Sequence, residues 1–166
     1  MIIGGTDTTR AAMVILVSLF LQHPEQLQAV RDNPALIPAA VSESLRFEPS
    51  AASVTRFATG DIILDGRIIT AGSVVTLSTL AAMRDPDRYI DPDDFIVDRP
   101  RQKWHQAFGG GPHRCLGEAL AKAELEEGLA AIPRAMPNMS VVGDFPNVYG
   151  HAGIRRVGQL TISASP

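Results

Sequence analysis

Apolar residues recur with the period of an α-helix in four parts of the chain. The first of these parts is almost entirely apolar, which predicts a helix that is buried in a core. Proline at the first position favours the start of the second and the third helix. The pattern predicts helices over Ala11–Leu21, His23–Asp32 and Pro38–Phe47, and from Cys115 to about Ile132.

The fourth predicted helix carries its apolar residues on one stripe, which would face a core. The stripe consists of Leu116, Ala119, Leu120 and Ala123, and it is broadened by Leu125, Leu129 and Ile132. Proline lacks the N–H that a helix needs and clashes with the preceding turn. We therefore expect Pro133 and Pro137 to end this helix.

The pattern changes to short β-strands between Ser53 and Thr79, where β-branched residues alternate with glycine-bearing turns. Asp65-Gly66 predicts a two-residue hairpin turn, and Ala71-Gly72 predicts a second turn. The predicted strands are Val54–Phe57, Asp61–Leu64, Arg67–Ile69 and Val74–Leu77, followed near the end of the chain by Met139–Val142 and Gln159–Ile162.

Proline-bearing turns fill the segment Arg84–Pro100, which is expected to have little regular structure and to follow the surface of a larger body. Trp104 and Phe108 then supply apolar anchors. The order of elements predicts a mainly α fold with a small β portion. Since the sequence has no internal repeat, low-complexity tract or linker, residues 1–166 are expected to form part of one domain.

Composition excludes several classes of protein. Of the 166 residues, 45% are hydrophobic and 20% are charged, as in an ordinary globular domain, and the net charge of −3 gives no basis for binding nucleic acid. A single cysteine excludes an internal disulfide and a cysteine-cluster metal site, and it suits a reducing cytoplasm. The run Ala11–Leu21 is too short to span a membrane, which takes about 20 apolar residues. A signal peptide is disfavoured because Asp7 lies upstream and no cleavage site follows.

The segment Gly4–Arg10 (GGTDTTR) places poor helix formers ahead of strongly helical residues. One interpretation is that Thr6 or Asp7 caps a helix that begins there. The alternative is that the segment lies inside a longer helix, where adjacent glycines and hydroxyls mark a local distortion that holds a ligand. The residues alone favour the cap.

Three charged residues have ordinary explanations when the pattern is taken alone. Glu43 and Arg46 are three positions apart, so they share a face of the third helix. Such a pair on a solvated surface would be worth at most about 0.5 kcal/mol. Arg56 lies within the first predicted strand and would be an exposed strand residue.

The stretch Phe108–Gly117 (FGGGPHRCLG) holds the only cysteine, Cys115, after a glycine-rich run and immediately before the fourth helix. A thiol at a helix N-terminus meets unpaired backbone N–H groups and the positive end of the helix dipole, which favour the thiolate. The glycines let the backbone turn tightly and come close to a flat or bulky ligand. The alternative is a buried structural cysteine beside a loop.

This stretch resembles the haem-binding signature of the cytochrome P-450 superfamily, in which Phe, Gly, x, Gly, x, His or Arg, x, Cys, x and Gly recur in this order. The matching positions here are Phe108, Gly109, Gly111, His113, Cys115 and Gly117. Three further segments match in the family's order. Gly4–Thr8 is similar to the oxygen-binding groove of the long distal helix, Glu43–Arg46 to the Glu-x-x-Arg motif, and Arg99, or alternatively Arg101, to the third member of that ion network. The form of the motif resembles the soluble bacterial branch.

The resemblance implies a role for the residues on the proximal side of a haem. Cys115 would be the thiolate ligand of the iron, and Phe108 would shield its sulfur. Gly109 and Gly111 belong to the turn of the loop, and Gly117 would permit close approach of the helix. His113 and Arg56 would meet the haem propionates.

On the distal side, the resemblance implies that Asp7 and Thr8 deliver protons to dioxygen, while Gly4 and Gly5 leave room for it. In the family these positions lie in the middle of a helix, which contradicts the cap interpretation. Glu43, Arg46 and Arg99 would form a buried ion network that supports the proximal face.

The implied architecture is a partial cytochrome P-450 fold: the end of the distal helix, the Glu-x-x-Arg helix, β hairpins, the meander, the haem loop and the proximal helix. Residues 1–166 would be the C-terminal part of a single haem domain. The implied cofactor is haem b with dioxygen as co-substrate. The strand near Ala51–Thr55 would line a pocket for a small apolar organic substrate, and Arg114 would face an electron donor of the ferredoxin type.

Members of the family are more than twice as long as this chain, so the first half of the distal helix and the substrate-covering lid would be missing. Met1 accordingly suggests a truncated or misassigned start. We expect that this chain alone is not a competent monooxygenase. The alternatives are a non-catalytic haem-binding or structural remnant and a thiol-based redox protein centred on Cys115, which lacks a resolving cysteine.

Overall fold

The computed structural model of the chain describes residues 2–100, 105–150 and 152–165. Arg101, Trp104 and Met1 lie outside the described residues. The α-helices are α1 (Ile2–Gln22), α2 (Pro24–Asp32), α3 (Ile37–Phe47), α4 (Thr79–Ala82) and α5 (Glu118–Ala135). Short 3-10 helices lie at Pro34–Leu36, Gln106–Phe108 and Gly111–His113. The mainly helical prediction is confirmed.

Apolar side chains of α1, α2, α3 and α5 meet in one core. Two residues of the irregular segment Arg84–Pro100 complete this core. Burial of each large side chain contributes about 1.5–3 kcal/mol, so this core is the main source of stability. Phe20 of α1 packs edge to face on Phe95, with ring centroids 5.4 Å apart. The core residues are Ile15, Leu16, Leu19, Phe20, Leu27, Val30, Val41, Leu45, Phe95, Val97, Leu125 and Leu129.

Helix α1 is longer than the residue pattern favours. It runs through Gly4–Arg10 without a break, so the prediction that Thr6 or Asp7 caps a helix is wrong. The segment lies inside the helix, as the alternative interpretation required, but the helix is not interrupted where that interpretation placed a local distortion. Tertiary packing of the apolar half of α1 outweighs the low helix propensity of its first residues. The Thr8 hydroxyl donates a hydrogen bond to the Gly4 carbonyl oxygen at 2.9 Å, so its proton has an acceptor within the helix.

Helix α5 departs from its prediction in two ways. Pro133 lies inside the helix and is buried, so it does not end the helix, which continues to Ala135. Its apolar residues do not form a single buried stripe either. Leu125 is 1% exposed, whereas Leu116, just before the helix, is 87% exposed and Leu120 is 64% exposed. One face of α5 therefore enters the core and another presents apolar side chains to the outside.

The strands pair as four separate antiparallel two-stranded sheets. The turn of the β2–β3 hairpin is Asp65-Gly66, both with positive φ, as predicted. The last strand is β8, three residues later than predicted, and the pair β6–β7 was not predicted. The strands are β1 (Ser53–Phe57), β2 (Ile62–Leu64), β3 (Arg67–Ile69), β4 (Val74–Ser78), β5 (Asn138–Val141), β6 (Val148–Tyr149), β7 (Arg156–Val157) and β8 (Ile162–Ser165), paired β1–β4, β2–β3, β5–β8 and β6–β7.

The segment Arg84–Pro100 is made of turns, as predicted, and it wraps the end of α3. Among the described residues, no helix combines the length and the apolar character that crossing a lipid bilayer demands.

Candidate active site

Glu43 and Arg46 of α3 form a buried ion pair, and Arg99 joins it from the irregular segment. Arg46 Nε donates to Glu43 Oε2 at 2.7 Å and Arg46 Nη2 to Oε1 at 2.8 Å, while Arg99 Nε donates to the same Oε1 at 3.1 Å. The side chains of Glu43, Arg46 and Arg99 are only 4%, 3% and 9% exposed. The interpretation of Glu43 and Arg46 as a solvated surface pair is therefore wrong.

Both guanidinium groups of this network also hold the backbone of the irregular segment. Arg46 makes five hydrogen bonds, which use all of its N–H groups, and three of them go to carbonyl oxygens of Met83, Pro92 and Asp94. Arg99 donates to the carbonyl oxygens of Ile90, Asp91 and Asp94. The network thus fixes a segment that has no regular hydrogen bonding of its own.

Aromatic rings cover this network, and the sequence pattern gave no sign of them. The Tyr89 ring centroid lies 5.2 Å from Arg46 Cζ, and the Phe47 ring centroid lies 5.7 Å from the same atom. Burial raises the pKa of Tyr89, although the positive charge of Arg46 opposes the shift. The phenol is therefore neutral, and its ring face can stabilise the guanidinium by a cation–π contact.

The cysteine loop, residues 105–117, begins at the buried His105. Its Nδ1 accepts a hydrogen bond from the Ala107 N–H at 3.3 Å, which caps the 3-10 helix Gln106–Phe108. Gly109 and Gly111 both have positive φ (67° and 65°), a conformation that other residues adopt only with strain. The sequence analysis missed His105, although a polar residue ahead of a short helix is a recognisable capping signal.

Cys115 lies at the end of this loop, two residues before the N-cap Gly117 of α5. Its backbone N–H donates to the Phe108 carbonyl oxygen at 3.0 Å, so the loop closes on itself, and its thiol is exposed. A side chain at Gly117 would lie 3.9 Å from Cys115 Sγ. The alternative of a buried structural cysteine is therefore wrong.

Charged side chains flank the thiol on the first turn of α5. Glu118 pairs with Arg114 and with Lys122, each at 2.7 Å. Partial burial alone would raise the pKa of Glu118, but the hydrogen bond and charge of Lys122, together with those of Arg114, outweigh it and lower this pKa. Lys122 Nζ also lies 5.3 Å from the ring centroid of Phe108. His113, at the end of the second 3-10 helix of the loop, is exposed.

The N-terminal part of α1 presents a second set of candidate residues. Asp7 is exposed and pairs with Arg10 one turn later at 3.4 Å, and Thr8 is half-buried. A Cβ placed on Gly4 or Gly5 would have no atom of the described residues within 4 Å. Open space therefore lies beside the hydroxyl and carboxylate groups of this helix.

A cleft of about 810 Å³ lies between α1 and the last strands. On the α1 side it is lined by Asp7, Arg10 and Val14, and on the other side by Ile154 and Leu160, among others. Arg56 lies elsewhere, in β1. It is half-buried, and its Nη1 donates to the Thr55 carbonyl oxygen at 2.9 Å.

The structure therefore brings Glu43, Arg46 and Arg99 into one network, and it gathers Phe108, Gly109, Gly111, His113, Cys115 and Gly117 in one loop. Gly4, Gly5, Asp7 and Thr8 share the first turns of α1. A second ion pair, between the half-buried Glu48 and the buried Arg155, was not predicted.

Comparison with known proteins connects these residues. The sequence model described as Cytochrome P-450 matches residues 1–134. Over 164 residues the chain is 46% identical to the plant-inducible cytochrome P-450 pinF1 of Rhizobium radiobacter, which covers 99% of this chain and 39% of that protein. It is 38% identical to the biotin biosynthesis cytochrome P-450 of Bacillus subtilis (strain 168), covering 97% of this chain and 40% of that protein.

Solved structures agree with the fold as well. The crystal structure of P-450 BioI in complex with an acyl carrier protein ligated to hexadec-9Z-enoic acid superposes with a TM-score of 0.92 at 35% identity, over 98% of this chain and 42% of that one. The chain thus spans about two fifths of the length of the relatives that it matches.

Proposed function

Since the chain belongs to the cytochrome P-450 family, we propose that its protein is a haem-thiolate monooxygenase that binds haem b through Cys115 and uses dioxygen to hydroxylate a small organic substrate. The observation that carries the proposal is the exposed Cys115 thiol at the end of a glycine-rich loop closed by its own backbone. When bound, haem supplies an iron centre that activates dioxygen.

The residues around Cys115 fit a flat, largely apolar ring system. The thiol is exposed and free of a disulfide, and the apolar side chains of Leu116, which follows Cys115 in the chain, and of Leu120, on the first turn of α5, are exposed as well. Gly117 carries no side chain next to the sulfur. Exposed apolar side chains of this size are expected to be covered by a ligand or a partner.

On this proximal side, Cys115 would bind the iron, and Phe108 would shield the sulfur from water. Gly109 and Gly111 allow the sharp turns that keep the loop thin. His113 and Arg56 would bind the haem propionates, as cations suited to carboxylates. Glu43, Arg46 and Arg99 act at a distance, because they hold the irregular segment that precedes the loop.

On the distal side, Asp7 and Thr8 would deliver protons to dioxygen, and the space beside Gly4 and Gly5 would admit it. The Thr8 hydroxyl donates to the Gly4 carbonyl oxygen within α1, so its oxygen lone pairs are left to accept a hydrogen bond from elsewhere. The cleft beside Asp7 is lined by charged residues such as Arg10 as well as by apolar residues such as Val14 and Leu160, and its apolar part would contact the substrate.

An electron donor of the ferredoxin type, an iron–sulfur protein, would dock beside Arg114 and Lys122, which lie on the surface next to Cys115. Their positive charges suit an acidic partner. A single cysteine, free of disulfide partners, supports a cytoplasmic location.

Haem titration of the chain tests the ligand. Ferric haem is added to the wild-type chain and to Cys115→Ala, and electron paramagnetic resonance reports the axial ligand. We expect a thiolate-ligated ferric spectrum that Cys115→Ala abolishes. The proposal fails if the variant keeps that spectrum or if the wild type never shows it. Binding without substrate oxidation would favour a haem-binding remnant over an enzyme.

A further inference from the structure

The buried Arg155, just before β7, forms an ion pair with the half-buried Glu48 at the end of α3. Glu48 is the C-cap residue of α3, and Arg155 Nη1 contacts its Oε1. The Arg155 side chain is 7% exposed, and its Nε also donates to the Gly150 carbonyl oxygen at 3.1 Å. Burial lowers the pKa of Arg155, but a guanidinium keeps its charge in proteins. The pair thus joins a buried cation to a carboxylate that is 24% exposed.

Backbone hydrogen bonds join the same two segments around this pair. The Arg155 N–H donates to the Ser50 carbonyl oxygen at 2.8 Å, and the Ala52 N–H donates to the Gly153 carbonyl oxygen at 2.9 Å. The 152–155 turn is consequently attached to the chain that leaves α3, rather than to its own neighbours.

Ile154 of the 152–155 turn forms an antiparallel bridge with Ala51. Side chains opposite each other in such a bridge lie on the same face. The Ile154 side chain is 54% exposed, and it lines the same cleft as Asp7. Its position therefore decides how wide the cleft is opposite the proposed proton donor.

The backbone of this turn would not hold Ile154 in place unaided. Gly150 and Gly153 both have positive φ (92° and 67°), and glycine gives the chain many alternative conformations. An apolar contact could slide, whereas a buried guanidinium bound to a carboxylate and to a carbonyl oxygen permits only a narrow set of geometries. Arg155 supplies that restriction, because its side chain contacts both Glu48 and Gly150.

We propose that Arg155 is a positioning residue for substrate selection: it holds the 152–155 turn on the end of α3 and thereby sets how far Ile154 enters the cleft beside Asp7. The proposal rests on the proposed function, because it requires a ligand to bind on the Asp7 side of the haem. It predicts that loss of the Glu48–Arg155 pair widens the range of ligand sizes that the site accepts.

Amide hydrogen exchange in the chain, followed by NMR, tests the attachment. In Arg155→Gln and Glu48→Gln, the Ala52 and Arg155 amides should exchange about tenfold faster than in the wild type, because local opening becomes easier. Arg134→Gln is the matched control, since Arg134 is an exposed residue of the same type on α5 and does not line the cleft. Val97→Ala, a buried core variant, shows what a general loss of stability does to the same amides.

Ligand selection is measured on the haem-loaded chain with imidazole and 4-phenylimidazole, by the change in the haem absorption spectrum. Loss of the pair should shift the ratio of their dissociation constants about threefold or more towards the larger ligand. Arg134→Gln and Val97→Ala should leave the ratio unchanged. Arg155→Lys keeps the positive charge but loses the planar guanidinium, so its ratio of dissociation constants should lie between those of the wild type and Arg155→Gln. It replaces Arg155→Gln in the test if that variant does not fold.

The proposal is supported if the Ala52 and Arg155 amides exchange faster in the Glu48 and Arg155 variants than in the controls, and if the ratio of the two dissociation constants also shifts. Exchange that rises equally in Val97→Ala, or a ratio that stays constant, overturns it, because Arg155 would then only stabilise the fold. A wild-type chain that takes up no haem overturns the proposed function instead, and the inference about selection falls with it. Haem uptake with an unchanged ratio of dissociation constants overturns the inference about Arg155 but leaves the proposed function standing.

Discussion

Two regions of the molecule differ in how far their side chains find partners within the chain. One is the network of Glu43, Arg46 and Arg99, and the other is the loop that carries Cys115. Each guanidinium N–H of Arg46 has an acceptor, and the whole network is buried. The cysteine loop ends in an exposed thiol, with open apolar side chains beside it. One region is satisfied by the chain itself, whereas the other is shaped for something that binds to it.

This difference separates residues that support the fold from residues that act. Substitutions in the network should reduce stability and change ligand binding only through that loss. Substitutions in the open region should leave stability nearly unchanged and alter haem uptake directly. The following changes test that separation, beginning with the largest expected effect.

Glu43→Gln should lower the free energy of unfolding by about 3–5 kcal/mol, because it leaves the charges of Arg46 and Arg99 buried without a counter-ion. Urea unfolding followed by circular dichroism measures the change. Asp93→Asn is the matched control, since Asp93 pairs with Arg84 at the surface, and it should cost less than about 1 kcal/mol. A similar cost for both variants would contradict the buried network.

Leu125→Ala and Leu120→Ala make the same change on two faces of α5. Leu125→Ala should cost about 2–5 kcal/mol in unfolding free energy because it leaves a cavity in the core, while Leu120→Ala should stay within about 0.5 kcal/mol. Haem affinity, compared at equal folded concentration, should fall in Leu120→Ala and not in Leu125→Ala. The opposite order in either measurement would show that the exposed face is not a ligand surface.

Gly109→Ala should cost about 1 kcal/mol in unfolding free energy, since alanine is strained at a φ of 67°. It should also weaken haem uptake, because the cysteine loop would have to relax. Gly110 has a φ of −156°, an ordinary extended conformation, so Gly110→Ala controls for the added methyl group. Equal losses in the two variants would rule out backbone conformation as the cause.

Glu118→Gln should lower the free energy of unfolding by less than about 1 kcal/mol, because the Arg114 and Lys122 partners are partly exposed. The pKa of Glu118 is lowered from its ordinary value of 4.5, so its stabilising contribution is present above that pH and is lost as the pH falls through the lower, folded-state pKa. The difference between wild type and variant in urea unfolding should therefore shrink below pH 4.5. A difference that persists in acid would contradict this origin.

Local pattern was enough to predict the elements that are long and periodic. The bounds of α2 and α3 and the β2–β3 turn agree with the structure to within one or two residues, because proline and glycine mark them. The residue pattern misplaced the start of α1, because low local propensity was outweighed by packing of residues further along. It also missed β6 and β7, which are two residues long and have no period to detect.

The candidate site, too, could be predicted from local pattern only in part. The spacing of Glu43 and Arg46 indicated a pair, but its burial depends on Arg99 and on carbonyl groups far along the chain. Only the resemblance to a family brought these residues together before the structure did. Arg155 was missed for a related reason, since its partner Glu48 is more than a hundred positions away.

The position of Glu43 has a consequence for the order in which the chain folds. Its contact with Arg46 spans three positions and can form as soon as α3 does, whereas its contact with Arg99 closes a loop of 56 positions. Closing so long a loop costs conformational entropy that only later contacts repay. We therefore expect the Glu43–Arg46 pair to form early in folding, together with α3. The cysteine loop should acquire its shape later, after the segment around Arg99 has bound to Glu43.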